Sequence, residues 1–594
     1  MNQGLPSPSE LQPLFELFQN GRFAEMERLA RTLVARYPRA GIAWKALSIS
    51  RFNLGMNALE ASQKAVELLP ADAESWVNFG NSLRANGRPA EAIGQYRRAI
   101  AIRPDYAKAH SNLGATLQES GDLEGAVESY RRAQQCNPDF PDAHNNLGVA
   151  WTELGEFDLA VSSYERALQL NPRYTEAFSN YLFVQNYRAG QDRASLFAEA
   201  RRYGSLVSAM ATPFTSWDNT PDPGRRLRVG LVSGDLCRHP VGFFIEGLLA
   251  AFSNGSGDKP VFIAYATLAR SDSFSEKIKV HCEAWRPAYS LSDQALAAQI
   301  REDRIDILID LSGHTAGNRL PAFAWKPAPI QVSWLGYLAT TGLDEMNYLI
   351  ADAWTLPEDE ERYFTENIWR LPESYISFPP PDTAVAVSPP PALVNSYVTF
   401  GSFNNLSKVG DAVVDAWAAI LQAVPQSRLF LKAKQLQQPA PRLRLEQRFA
   451  ARGVDTHRLI LEGPVAGREA HFASFGRVDI ALDPFPYPGI TSSLECLWMG
   501  VPVVSLAGHS FLSRQGLGIL SCSGLSDWVA VTPDEYVALA VSHAGDRVRL
   551  AQLRARLREH LRVAPVFDGE RFAVHFAAAL REMWWQWLRR SAGN

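Results

Sequence analysis

The densest run of chemistry-bearing residues lies between Val478 and Gly508, V-D-I-A-L-D-P-F-P-Y-P-G-I-T-S-S-L-E-C-L-W-M-G-V-P-V-V-S-L-A-G. Val478 to Leu482 is an apolar run that predicts a strand ending at Asp483. Pro484, Pro486 and Pro488 cannot donate to a sheet ladder, and Gly489 frees the backbone for a turn. Thr491, Ser492 and Ser493 then open a helix that Gly500 ends, and Val501 to Leu506 returns as a buried parallel strand. Free N–H groups and the positive end of the helix dipole converge at such a start, so it suits a phosphate, with hydroxyls as extra donors. Glu495, one turn in, suits a ribose hydroxyl. A plain capped helix in an α/β core would explain this stretch taken alone.

Other loops add complementary groups. A strand over Tyr397 to Gly401 leads into Ser402-Phe-Asn-Asn-Leu-Ser-Lys408, a loop expected to meet the anion site. Lys408 there would neutralise charge on a departing diphosphate, electrostatic stabilisation that needs no metal. Arg468 and His471, one turn apart on a helix, can grip and stack on a nucleotide base. In the preceding half, Asp235 and His239 occupy the loop after a predicted strand, Leu227 to Ser233. His314 lies in Ser312-Gly-His-Thr-Ala-Gly317, and Tyr337 in Gly336-Tyr-Leu-Ala-Thr-Thr-Gly342. A histidine at a strand end can take a proton from an attacking hydroxyl, since it titrates near neutrality. Each of these residues alone is equally a structural loop histidine or a solvated charge. Their conjunction points to chemistry.

Further strands fit Val261 to Ala266, Ile305 to Leu311, Ile330 to Leu335, Ser427 to Lys434 and Arg458 to Glu462, with helical stretches between. Alternating strands and helices imply parallel sheets whose ligand loops gather at the strand C-terminal ends. Phe378 to Pro391 is proline-rich and reads as a semi-rigid connector between two lobes. The chain closes on Met583-Trp-Trp-Gln-Trp587, an end suited to packing back across a lobe.

The first third is a repeat. Pro70, Pro104, Pro138 and Pro172 are spaced by 34 residues, as are Gly87, Gly121 and Gly155, Tyr96, Tyr130 and Tyr164, and Ala99, Ala133 and Ala167. Gly80, Gly114 and Gly148 keep the same register inside each first helix. Small residues where helices touch, aromatics filling the gaps and proline closing the unit make the tetratricopeptide pattern. Asn78, Asn112, Asn146 and Asn180 also repeat every 34 residues. A ladder of amides, each a donor and an acceptor, can hold an extended peptide backbone; capping or solvation of each unit is the alternative.

Totals bound the rest. The chain has 594 residues, a net charge of −4 and a pI of about 6.3, which gives no electrostatic case for nucleic acid or an anionic membrane. Met1 to Pro8 lacks a signal-peptide pattern, and no apolar run is long enough for a membrane span. The five scattered cysteines, without a C-x-x-C, suggest reduced thiols in a cytoplasm and no zinc site. The chain has no Asp-x-Asp pair of the kind that holds a divalent metal on a sugar nucleotide, so no metal and no cofactor is expected.

Four motifs, with the repeats, carry a resemblance: Leu311-Ser-Gly-His-Thr315, Lys326-Pro-Ala-Pro-Ile-Gln-Val-Ser-Trp-Leu-Gly-Tyr337, Gly401-Ser-Phe-Asn-Asn-Leu-Ser-Lys408, and Asp483-Pro-Phe-Pro-Tyr-Pro-Gly489 continuing through Gly508. Together they resemble the tetratricopeptide-bearing O-linked N-acetylglucosamine transferases and the related SPINDLY proteins, over most of the chain. The resemblance implies a GT-B fold, two Rossmann-like α/β lobes after an α-helical tetratricopeptide superhelix. It implies metal-independent, inverting transfer to Ser or Thr of a protein. By position, Lys408 would stabilise the leaving diphosphate with Asn405 beside it; Thr491 and Ser492, with Ser493 following, would bind the diphosphate; Glu495 would face the ribose. Val465, Ala466, Arg468 and His471 would form the base pocket. His239 would lie near the sugar and acceptor, with Asp235 beside it and His314 and Tyr337 lining the cleft. Ile490, Thr491-Ser492 in place of a Thr pair, and Tyr337-Leu-Ala depart from the family's usual residues; UDP-GlcNAc is the first choice of donor and GDP-fucose the alternative. His239 is the first choice of general base, with Asp235, His314 and the donor's own phosphate as the others. A repeat scaffold with a decayed transferase half is the non-enzymatic alternative. The implied organisation is an array at 10–185, a transitional segment at 186–225, a first lobe at 226–378, a linker at 379–395 and a donor lobe at 396–590. Partners would be protein acceptors in the repeat groove and a nucleotide sugar, with a homodimer open.

Overall fold

A computed structural model describes residues 4–188, 190–254 and 259–592. It divides into two compact units, with the border between Ala177 and Phe178.

The first unit is a succession of paired helices. Each full repeat supplies two: Ala73–Ala85 with Pro89–Ile102, Ala107–Glu119 with Leu123–Cys136, and Pro141–Leu154 with Phe157–Leu170. Asp72 and Asp122 cap their helices by accepting from the backbone N–H groups of Ser75 and Gly125. Gly87, Gly121 and Gly155 turn between the partners of a pair at φ of 71°, 86° and 80°, conformations that disfavour a side chain. The 34-residue columns meet in space. A Cβ on Gly80, Gly114 or Gly148 would stand 2.5, 2.7 or 2.5 Å from the ring of Tyr96, Tyr130 or Tyr164. Those rings are buried, so the glycine column exists to admit the tyrosine column. Gly114→Val is therefore expected to destabilise the array by about 2–3 kcal/mol through overpacking. Thermal unfolding followed by circular dichroism would show a lowered first transition, and an unchanged one would refute the packing argument.

The asparagine column has mixed surroundings. Asn78, Asn112 and Asn146 are half-buried on the first helices of their pairs. Asn112 Nδ2 donates to Asn81 Oδ1 at 2.9 Å, and Asn146 Oδ1 accepts from Asn145 at 3.5 Å, while Asn78 Nδ2 has no hydrogen-bond partner. Asn180 falls beyond the border, in the second unit.

The second unit holds two parallel sheets. The first comprises β1 (Arg228–Ser233), β2 (Val261–Ala266), β3 (Ala284–Pro287), β4 (Ile307–Asp310), β5 (Ile330–Ser333), β6 (Tyr348–Asp352) and β7 (Asn367–Leu371), in the order β3-β2-β1-β4-β5-β6-β7. The second comprises β8 (Thr399–Ser402), β9 (Arg428–Lys432), β10 (Leu459–Glu462), β11 (Ile480–Leu482), β12 (Val503–Leu506) and β13 (Val529–Ala530), in the order β10-β9-β8-β11-β12-β13. Each order runs outward from its first strand and then switches side, the doubly wound arrangement. Sequence patterning does not mark β3, β6, β7 and β13. Among these, β3 and β7 are edge strands carrying Arg and Pro or Asn and Arg, and β13 has only two residues. By contrast, β6 is buried along all five residues.

The proline-rich connector is strapped rather than spacer-like. The carbonyls of Ser388 and Val385 accept from Arg554 and Arg558 of the helix Arg547–Leu561. The N–H of Ala392 donates to Asp479 at 3.0 Å. The C-terminal helix Gly569–Ala592 packs back as expected: Trp584 and Trp585 donate to the carbonyls of Asp222 and Pro223, and Phe576 lies 4.7 Å from Trp334 of the first lobe. Among the described residues no helix is long and apolar enough to cross a membrane, and no disulfide forms among the five cysteines.

Candidate functional site

A doubly wound sheet binds ligands where the strand order reverses, because the loops leaving the two central strands diverge there. In the second sheet those strands are β8 and β11, and the loops leaving them are Phe403–Lys408 and Asp483–Ile490. In the first sheet they are β1 and β4, followed by the Asp235–His239 loop and the Leu311–Thr315 loop. Topology thus gathers Asn405, Lys408, Thr491, Ser492, Asp235, His239 and His314 at two switch points, while Val465 to His471 follow the edge strand β10 and Tyr337 follows β5.

Lys408 closes a short turn, Leu406–Lys408, that Asn405 caps by accepting from Ser407 N at 3.0 Å. Its ammonium donates to the carbonyl of Pro488 at 2.9 Å and sits 4.0 Å from the Tyr487 ring centroid. Both of these contacts are neutral, and the charge facing the ammonium is the buried Asp483 carboxylate. Burial lowers the lysine's pKa to about 8, against the raising pull of Asp483.

Asp483, which sequence reasoning passed over as a mere strand end, anchors the Asp483–Ile490 loop. It is 2 % exposed, and its Oδ1 accepts from Ser493 Oγ at 2.7 Å and from Gly489 N at 3.2 Å. Burial pushes its carboxyl up to about 6. The signal was present as an acid ending an apolar strand ahead of a proline loop. Ser493 corrects the expectation for that residue: it is 3 % exposed and spends its hydroxyl on Asp483, so it braces the loop and does not face a ligand. Thr491 and Ser492 stay half-buried at the start of the helix Thr491–Trp498, whose N-cap, Ile490, offers no side-chain bond. Its first N–H groups are therefore left for an external acceptor. Ser492 Oγ donates to Asn404 Oδ1 at 3.1 Å, joining the two switch-point loops; Asn404 was not singled out from sequence.

One turn deeper, Glu495 Oε2 meets His471 Nε2 at 3.2 Å. Lys432, at the end of β9, lies 3.5 Å from His471 Nδ1 and donates to Ser474 at 2.9 Å. His471 is thus held upright between an acid and a base. Val465, Ala466 and Arg468 form the exposed rim beside it, with the Arg468 guanidinium 5.5 Å from the Phe472 ring. Asn405 is exposed, its Oδ1 shared between Ser407 and Gln435.

In the first lobe, His239 Nδ1 lies 3.6 Å from Asp235 Oδ2 and 3.4 Å from Val241 N. Burial holds His239 below its ordinary value and raises Asp235, so the imidazole is neutral at pH 7. Arg270 acts on both groups, supporting the anionic form of Asp235.

His314 does not share that position. It is fully buried, its Nδ1 3.0 Å from Ser179 Oγ and its Nε2 3.1 Å from Thr341 O, packed edge-on to Tyr203 and Tyr337. Burial lowers its pKa to about 3. With both nitrogens engaged and no solvent, it is a structural pin and is removed from the candidate bases. Tyr337 is likewise buried, its hydroxyl accepting from Asn186 Nδ2 at 3.1 Å. We expect His314→Ala to cost about 3 kcal/mol of stability by leaving a cavity and unpaired partners. It should leave the pH profile of the protein's activity in place. Denaturant unfolding beside a pH–rate curve checks both halves.

A cavity of about 540 Å³ lies behind the Asp483–Ile490 loop, lined by Asn186, Arg193, Tyr337, Thr340, Phe485, Pro486 and Ser510 among others. It includes none of Lys408, Thr491, His471 or His239, so it is not the chemical centre. Among the described residues no cluster of three or more His, Cys, Asp or Glu can hold a metal ion.

Comparison with known proteins places the fold among relatives. The chain is 37 % identical over 410 residues to the probable UDP-N-acetylglucosamine–peptide N-acetylglucosaminyltransferase SPINDLY of Arabidopsis thaliana, covering 68 % of this chain and 44 % of that protein. It is 36 % identical over 411 residues to the correspondingly named protein of Oryza sativa subsp. japonica, again covering 68 % and 44 %. The chain thus spans less than half the length of these curated relatives. The solved structure of a point mutant of Thermobaculum terrenum O-GlcNAc transferase superposes with a TM-score of 0.82 at 34 % identity, over 88 % of this chain and 99 % of that one. TPR-repeat models match residues 80–121, 117–155 and 141–174. The model of glycosyl transferase family 41 matches residues 205–378 and 382–576, which together exceed half the chain; the protein belongs to that family.

Proposed function

We propose that this protein is an inverting protein O-glycosyltransferase that moves N-acetylglucosamine from UDP-GlcNAc to Ser or Thr of protein acceptors recruited by its repeat array. The observation that carries the reading is the switch point of the second sheet. There the Lys408 ammonium, held by the carbonyl of Pro488, stands beside a helix start whose N-cap side chain leaves its N–H groups uncapped. That pair suits a diphosphate, and the His471–Glu495 pair one turn deeper suits a nucleoside.

In the proposed step the acceptor hydroxyl attacks C1 of the sugar from the face opposite the nucleotide. The C1–O bond to the diphosphate breaks, and its electron pair passes to the phosphate oxygen facing Lys408 and the helix start. The hydroxyl proton goes to Nε2 of His239, neutral near pH 7; this step uses the tautomer protonated on Nδ1, in which Nδ1–H turns to Asp235 and gives up the 3.4 Å contact it accepts from Val241 N–H. Asp235 itself and the donor phosphate are the alternative bases. Holding acceptor and donor in line supplies much of the rate. Lys408 does the work that a divalent ion does elsewhere, which makes the reaction metal-independent in this scheme. The names of the relatives favour UDP-GlcNAc over GDP-fucose, and the array's asparagines support peptide capture. The five free cysteines fit a reducing, cytoplasmic setting.

Incubating the purified chain with a protein lysate in EDTA, with UDP-GlcNAc or with GDP-fucose, tests the reading by mass spectrometry. N-acetylhexosamine on Ser or Thr is expected with the first donor alone. Deoxyhexose transfer would overturn the donor assignment, and no transfer with either would leave the scaffold reading standing.

A further inference from the structure

Beyond the groups that would touch the donor, Tyr187 meets both structures that hold Lys408. It follows the helix Thr175–Gln185, and its ring packs 5.5 Å from Phe183 and 4.9 Å from Tyr487. Tyr487 is the ring on which the Lys408 ammonium rests. The hydroxyl of Tyr187 meets the side chain of Ser407, the residue before Lys408 in the capped turn. Tyr337 and Tyr375 of the first lobe approach Tyr487 as well, so Tyr487 sits within a group of tyrosines drawn from both lobes.

The structure assigns Tyr187 as a positioning residue that fixes the Tyr487 ring and the Leu406–Lys408 turn, and so presents Lys408, dry and aimed, to the leaving diphosphate. The inference rests on the transferase reading. Tyr187 bears on Lys408 through the Tyr487 ring and Ser407, so its removal loosens both supports while leaving the Pro488 carbonyl and the Tyr487 ring as partners of Lys408. The charged group facing Lys408 is Asp483; the titratable neighbours Tyr487, Tyr187, Tyr337 and Tyr375 are all held above the ordinary tyrosine value by burial and stay neutral through the working range.

Tyr187→Ala is expected to lower kcat by about 10- to 100-fold, the scale of a misplaced catalytic group, with donor KM within about twofold. Easing burial raises the Lys408 pKa in the free protein, so the alkaline limb of kcat/KM moves to higher pH. Tyr187→Phe keeps the ring and should keep the limb. Lys408 is followed directly by carbon NMR of the reductively methylated full-length protein, its signal assigned by loss in Lys408→Arg, and circular dichroism confirms folding. Tyr187→Leu serves if the alanine variant fails to fold. A kcat within twofold of wild type, or a Lys408 titration that does not move, overturns the inference. If the wild type transfers no sugar the functional reading fails, and the Lys408 titration alone then decides the positioning role.

Discussion

Lys408→Ala is expected to reduce kcat by about 10²- to 10³-fold, the cost of deleting one preorganised charge partner of a leaving group (about 3–4 kcal/mol). KM for the donor should change far less, because an interaction that grows as charge develops is made mainly in the transition state. The residue also dates itself by pH. Its pKa in the free protein is lowered to about 8, so the ammonium loses its proton as pH rises through that value and kcat/KM falls there, well below the ordinary lysine range. Lys408→Arg keeps a charge that does not titrate, so its residual activity should lack this alkaline limb. A steady-state profile of kcat/KM for the donor from pH 6 to pH 10 reads the limb, and kcat at saturating donor reads the loss in the alanine variant. An alanine variant within threefold of wild type would remove the leaving-group role.

Asp483→Ala is expected to cost about 3–5 kcal/mol of stability and at least tenfold in donor affinity, since it leaves Ser493 Oγ and Gly489 N without their shared acceptor. Asp483→Asn is the informative control. The folded-state pKa of Asp483 is about 6, above the unfolded value of 3.8, so the native state binds more protons between those limits and stability falls as pH rises through that window. An amide keeps the acceptor oxygen without the buried charge, and the asparagine variant should match or exceed wild-type stability at pH 7. It should also lower the alkaline limb of Lys408, because the Asp483 charge supports the ammonium. Thermal unfolding at pH 5 and pH 7, with the kcat/KM profile, separates these outcomes; an asparagine variant as unstable as alanine would mean that the charge, and not the acceptor, holds the loop.

The repeats were legible because a 34-residue period forces equal residues into equal surroundings: Gly114 is small where Tyr130 fills the space, and the sequence displays both columns. The helix Thr491–Trp498 was legible because prolines, glycine and hydroxyls mark a loop-to-helix transition at a strand end. Lys408 and Thr491 lie on the segments that follow the two central strands β8 and β11, which alternation of strands and helices already implied. What sequence could not reveal was depth. His314 and His239 each sit in a loop at the C-terminal end of a central strand, yet one is sealed between two tyrosines and the other is about one-third exposed beside Asp235. Ser492 and Ser493 are neighbours on one turn, but only the first points toward the partner loop, since a helix turns successive side chains apart by about 100°. Contacts remote in sequence, such as Tyr187 with Tyr487 or Arg554 with the connector, leave no local pattern at all.

Isothermal titration of the purified protein in EDTA with UDP, UDP-GlcNAc, GDP and GDP-fucose, for wild type and Lys408→Ala, tests the central claim most directly. The account predicts that the uridine ligands bind, that UDP binds more weakly to the alanine variant, and that the guanosine ligands do not compete. Binding of the guanosine ligands alone, or of no nucleotide at all, would contradict it.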